Sequence, residues 1–175
     1  MKTSLMMLLA LGASMAVAAD LQSAIEVPNA SKIIEKDLLG AAKTYTMPKG
    51  CISDDADAIA RGKYIFHNLN GSKAKGDAPK GLVKKLPDGE PKQYGNCVAC
   101  HNIEDAQGAG NIGPDLSNYY EHFIKTGARD AAFVFQKIAD PRIDNPTTHM
   151  TVNLTTGLFN EREICDIASY VISKK

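Results

Sequence analysis

Three residues could do chemistry together because of their types and spacing: Cys97, Cys100 and His101, in the run Cys97-Val98-Ala99-Cys100-His101. Two thiols separated by two residues can both reach one edge of a planar macrocycle. An imidazole directly after the second can rise beneath the centre of that ring. This is the C-x-x-C-H form of a c-type haem attachment site, in which the thiols add across two vinyl groups and the histidine is the proximal iron ligand. Two competing chemistries fit less well. A structural zinc site needs a second ligand pair, and Cys51 and Cys165 lie far from the motif and from each other. A thioredoxin-like redox pair needs a βαβ pattern nearby, and none is legible. The expected cofactor is one covalently bound haem c.

An electron-carrying haem needs a second axial ligand. Once a leader is removed, two methionines remain, Met47 and Met150, beside the non-proximal histidines His67, His122 and His149. Met150 lies between Pro146 and the final helical segment, where a loop can close over the opposite haem face. A thioether there raises the reduction potential relative to a second imidazole. Met150 is the expected distal ligand, with His149 as the alternative. Pro114, in Gly113-Pro114, can stiffen the loop beside the proximal histidine. A backbone carbonyl of that loop can then take the His101 Nδ1 proton and fix the tautomer. There is no arranged nucleophile and base, so no catalytic residue is expected in this chain.

The remaining thiols, Cys51 and Cys165, lie just before the first helix and within the last. In an oxidising compartment they tend to pair. They could form a disulfide if those helices cross, remain two buried thiols, or bridge to a partner.

The elements that must position these residues are helical. Residues 53–68 predict a first helix, capped by Ser53 or Asp54, with Ala58, Ile59, Ile65 and Phe66 on its apolar face. A last helix runs from about Glu161 to Ser173, capped by Asn160, with Ile164, Ile167, Ala168 and Val171 as its stripe. Residues 69–96, rich in Gly, Pro and Lys, predict a long inserted loop. Ile33, Ile34, Leu38 and Ala41 recur at helical spacing within an N-terminal extension, residues 20–52. No convincing strand pattern is present. The expected fold is all-α: one haem-wrapping domain over residues 53–175.

The N-terminus reads as a secretory signal over residues 1–19. Lys2 supplies the basic start, Leu5 to Val17 the apolar core, and cleavage is expected after Ala18 or Ala19. No membrane span is expected after its removal. Twenty basic residues balance twenty acidic ones, which argues against nucleic acid as a partner. The 175 residues, less the leader, suffice for one domain with a real core.

The haem motif, the proline loop, the first-helix run Ala60-Arg61-Gly62-Lys63-Tyr64-Ile65-Phe66 and the last-helix pair Tyr170-Val171 resemble class I cytochromes c. In that family a first-helix glycine lets an aromatic-bearing last helix cross closely; Gly62, Phe66 and Tyr170 match. Within it, residues 53–173 more specifically resemble the SoxX family, the mono-haem subunits of SoxAX cytochromes in bacterial thiosulfate oxidation. The carrying segments are Gly95 to His101, Gly110-Asn111-Ile112-Gly113-Pro114-Asp115-Leu116, Asn145-Pro146-Thr147-Thr148-His149-Met150 and Glu161-Arg162-Glu163-Ile164. One departure is Thr151, where the family commonly places a proline after the ligand methionine. Another is the longer insertion, whose lysines, Lys73, Lys75, Lys80, Lys84, Lys85 and Lys92, outnumber its acids.

The resemblance implies a periplasmic electron-relay subunit. Its partner would be a SoxA-type cytochrome with one or two haems that carries the catalytic centre. Together they would act as an L-cysteine S-thiosulfotransferase, oxidatively joining thiosulfate to a cysteine of the SoxYZ carrier. Electrons would leave through a downstream soluble cytochrome c. The alternatives are a free-standing mono-haem carrier and a haem-based sensor with a weakly held sixth site.

Overall fold

The computed structural model describes residues 39–174. The leader and the apolar spacing at Ile33, Ile34 and Leu38 lie outside them. Among the described residues there are three α-helices, α1 (Ala56–His67), α2 (Ala131–Ala139) and α3 (Glu161–Ile172), and no strands. Short turns join them: 3-10 at Cys97–Ala99 and Pro141–Ile143, π-helical at Tyr120–Ile124.

The first helix starts later than the sequence suggests. The expected caps were Ser53 or Asp54; the observed cap is Asp55, whose carboxylate accepts the Ala58 amide at 3.1 Å. Ser53 is engaged elsewhere. Its backbone amide donates to Ser169 Oγ and its hydroxyl accepts the Asp55 amide, which holds the chain extended for two more residues. At α3 the cap is Asn160, completed by a capping box with Glu163 that satisfies two otherwise orphaned amides.

Helices α1 and α3 cross at Gly62. A Cβ placed there would meet the Asp166 carbonyl and stand 2.8 Å from the Tyr170 Cβ. Only a residue without a side chain allows this approach. Beside the crossing, Arg61 donates two hydrogen bonds to the Asp166 carboxylate, at 2.7 and 2.9 Å. The fork geometry of guanidinium on carboxylate fixes the register of the two helices. The core gathers around this contact. Ile65, Phe66, Ile164, Ile167, Ala168 and Tyr170 meet Val134, Phe135 and Ile138 of α2, all buried.

Cys51 and Cys165 form a disulfide, with Cα atoms 5.0 Å apart. It ties the segment before α1 to α3. The Ser169 hydroxyl, near the Cys51 carbonyl at 3.4 Å, adds to the tie. Residues 39–52 pack back on the domain. Tyr45 and Met47 lie against the core, the Tyr45 amide donates to Gln136 Oε1 at 2.7 Å, and the Lys43 amide donates to the buried Asp140 carboxylate.

The inserted segment 69–96 is a folded antiparallel loop. Bridges Asn70↔Gln93 and Lys85↔Pro91 align its arms. Backbone bonds Gly71 to Lys92, Lys92 to Lys84 and Leu86 with Glu90 continue the pairing. At its base the Tyr94 amide donates to the Leu69 carbonyl, Gly95 to Ile65 and Asn96 to Asn68. Tyr94 is buried edge-on against Tyr64, with ring centroids 5.3 Å apart, and its hydroxyl donates to the Val83 carbonyl at 2.6 Å. That burial, with the neighbouring Tyr64 and Glu163, pushes the Tyr94 phenol up to about 12. The insertion therefore delivers the chain to Cys97 from an anchored start.

Candidate haem-binding site

Asn96 stands in the left-handed region at φ 44°, a conformation asparagine tolerates better than most side chains. It turns the chain into the 3-10 turn. The amides of Cys100 and His101 both donate to the Cys97 carbonyl, at 3.1 and 2.9 Å. This compact turn holds the two sulfur-bearing residues and the imidazole in one short arc. Cys97 and Cys100 are both free and half-buried, in contrast to the bridged pair. Burial of its sulfur pushes the Cys97 thiol up to about 12. A reactive redox cysteine needs the opposite, a stabilised thiolate. No cluster of three His, Cys, Asp or Glu side chains among the described residues could cage a metal ion, so a zinc site is not built here either.

The loop 110–116 is stitched to this turn. The Gly110 amide donates to the Val98 carbonyl at 2.8 Å, Gly113 to Cys100 at 2.9 Å and Leu116 to Asn102 at 2.9 Å. Gly110 lies so close to Ala99 that a Cβ would stand 2.6 Å from its carbonyl carbon. Gly113 faces the imidazole, and a Cβ there would stand 2.6 Å from Nδ1 and 2.8 Å from Nε2 of His101. The His101 Nδ1 is 2.8 Å from the Pro114 carbonyl oxygen. A carbonyl can only accept, so Nδ1 carries the proton, and Nε2 keeps its lone pair for a metal. Two unpaired thiols, one oriented imidazole and a side-chain-free wall beside it are a donor set that fits a covalently held haem. When bound, that group supplies a one-electron iron couple.

The candidate distal residues are placed differently from one another. Met150 is half-buried and packs against the core, whereas His149 is exposed. The Met150 amide donates to the Thr148 hydroxyl at 3.1 Å. The chain after it is anchored to α2: Asn153 Nδ2 donates to the Ile138 carbonyl and the Leu154 amide to the Ala139 carbonyl. His67 is engaged by the Tyr170 hydroxyl at 2.7 Å, and burial, together with Lys63, pulls its pKa below the usual histidine value. His122 is exposed on the π-helical turn, and Met47, in the segment before α1, lies against the core.

Two features of the site's support were not visible in the sequence. Asp105, just past the motif, pairs with Lys174 at 2.5 Å and Lys63 at 3.1 Å, tying the haem loop to α1 and the end of α3. Those two cations hold its carboxyl down at about 2. The buried Asp140 accepts from Arg142, the Lys43 amide and Thr155, and so clamps the turn after α2. Both partner sets are far apart in sequence, and no local pattern signals them.

No helix among the described residues is long and apolar enough to cross a membrane. A comparison with curated proteins finds no match for this chain. The family described as Cytochrome c matches residues 87–175, which carry the paired thiols, the proline loop, Met150 and the last helix, and cover just over half of the chain. The all-α architecture agrees with that match, and the match in turn implies covalently bound haem c and electron transfer. The chain belongs to the cytochrome c family.

Proposed function

We propose that this chain is a SoxX-type relay subunit. In this reading Cys97 and Cys100 would hold one haem c through thioether bonds, and His101 Nε2 and Met150 would bind its iron, His149 being the alternative to Met150. Two observations support the ligand set: the Pro114 carbonyl holds His101 with its proton on Nδ1, and Met150 is half-buried against the core beside an exposed His149. Gly113 and Pro114 keep the imidazole from rotating, so little reorganisation accompanies gain or loss of an electron. The loop from Thr148 to Leu154, anchored on α2, keeps the thioether from swinging away.

The SoxX assignment is supported by the segments Gly110 to Leu116 and Asn145 to Met150. It makes the chain the non-catalytic member of a SoxAX L-cysteine S-thiosulfotransferase. A SoxA-type partner joins thiosulfate to the SoxYZ carrier cysteine, and this chain passes the electrons to a soluble cytochrome c. The segment 1–19 then directs export to the periplasm, where the Cys51–Cys165 disulfide persists. The test is a pull-down of the tagged, processed holo-protein from the periplasm of thiosulfate-grown cells. Stoichiometric recovery of a second c-type cytochrome is expected. Recovery of a lone monomer would leave a free-standing carrier in its place.

A further inference from the structure

The insertion 69–96 carries six lysines against three acids, Asp77, Asp88 and Glu90. Lys92 is used internally, pairing with Glu163 at 3.3 Å. The other five, Lys73, Lys75, Lys80, Lys84 and Lys85, make no ion pair among the described residues. Elsewhere in the described chain Lys63, Lys125, Lys137 and Lys174 are paired, while Lys43, Lys49 and Arg129 make no ion pair among the described residues. Five of the eight described lysines and arginines without an ion pair thus lie in one element of a chain whose net charge is zero.

The fold of the insertion brings them together. Gly71 lies against the Lys84 backbone so closely that a Cβ would stand 2.7 Å from the Lys84 Cα. That contact sets the turn bearing Lys73 and Lys75 beside the arm bearing Lys84 and Lys85. Apolar side chains are exposed within the same element: Val83 is 54% exposed, Leu69 49% and Leu86 37%. Half of the exposed large hydrophobics of the described chain are therefore in this one loop. The base of the loop is bonded to the end of α1 and runs directly into Cys97. Whatever docks on it is held next to the haem motif.

We propose that the insertion is a docking face for an acidic protein partner, one whose carboxylates surround a small apolar centre. This rests on the relay reading, because a relay must meet a partner transiently. Exposed apolar residues interspersed with unpaired charge in one element suit such encounters: the charge speeds and orients association, and the apolar contacts hold it briefly. A membrane surface fits less well. Its ligands are amphipathic helices with a broad apolar face, whereas this element is a tightly paired loop with single apolar side chains.

The experiment uses the processed holo-protein and, as probe, a fluorescein-labelled oligo-glutamate peptide followed by anisotropy at low salt. The variant Lys73→Glu/Lys84→Glu/Lys85→Glu is compared with a charge-matched control, Lys43→Glu/Lys49→Glu/Lys125→Glu. The expected result is binding that weakens roughly tenfold in the insertion variant, survives in the control and fades with added salt. Equal loss in both variants would overturn the proposal, because net charge alone would then explain binding. No binding by the unmodified protein would overturn it too, as would preference for phosphatidylglycerol vesicles over the peptide. The absorption spectrum and reducibility of the same samples report the haem reading separately, so the two can fail independently.

Discussion

The Nδ1 of His101 lies 2.8 Å from the Pro114 carbonyl oxygen, across a loop that has no side chain at Gly113. The two facts depend on each other. The hydrogen bond fixes which nitrogen is free, and the missing Cβ leaves room for the ring to take that orientation. Gly113→Ala is therefore expected to push the imidazole off its axis at a strain of about 1–3 kcal/mol. The measurement is the absorption spectrum and midpoint potential of the holo-protein. A shift to mixed or weakened axial ligation is expected; a native spectrum and potential would show that the ring has room to spare.

At the crossing of α1 and α3, Gly62 faces a backbone carbonyl and the Tyr170 Cβ. A backbone cannot step aside as a flexible side chain can. Gly62→Ala is expected to destabilise the fold by about 3 kcal/mol, since overpacking against a rigid neighbour lies at the costly end of such changes. Denaturant unfolding checks this, and a midpoint within error of the parent would contradict the close crossing.

The Cys51–Cys165 bridge closes a loop with a sequence separation of 114. In the chain-entropy account a loop of that size stabilises by about 4–5 kcal/mol. Replacing both cysteines with alanine is expected to lower stability by up to that amount while leaving the haem spectrum intact, because the bridge lies between helices and not at the motif. Thiol counting on the unfolded, unreduced protein should find none outside the haem attachment. Two titratable thiols would remove the bridge.

Asp140 is buried, and the Arg142 guanidinium beside it holds its carboxyl well below the usual range, helped by the Lys43 amide and Thr155. Its folded pKa is thus lower than its unfolded one, about 3.9. The clamp's contribution is fully present above the unfolded value and is lost as pH falls through the folded value. Stability followed by urea unfolding is expected to be level between neutral pH and about pH 5 and to decline below about pH 4. Asp140→Asn should lower the neutral plateau and flatten the acid decline. An unchanged acid slope would assign the decline to other carboxylates, such as Asp105.

Local signals made some of this legible from sequence and left the rest hidden. The residues at the haem motif, Pro114 and Asn160 are each identified by a pattern within a few positions. The last helix follows its apolar stripe to within one residue, Ile172 against the expected Ser173. The first helix is misplaced because Ser53 and Asp54 look as good as Asp55 locally. Only Ser169, distant in sequence, decides among them. The antiparallel pairing in 69–96 is hidden for a similar reason. Its arms carry lysine, proline and glycine where a strand would alternate, and backbone bonds with a buried Tyr94 hold it instead. The clamps at Asp105 and Asp140 likewise join residues with no shared pattern.

The axial pair His101 and Met150 is tested most directly by the ferric absorption spectrum of the processed holo-protein. Ligation by His101 and Met150 predicts a methionine-to-iron(III) charge-transfer band at the red edge of the visible spectrum. That band should vanish in Met150→Ala, together with a lowered potential, and persist in His149→Ala. A spectrum unchanged by loss of Met150 would contradict the assignment, and a band lost with His149 instead would place the histidine on the iron.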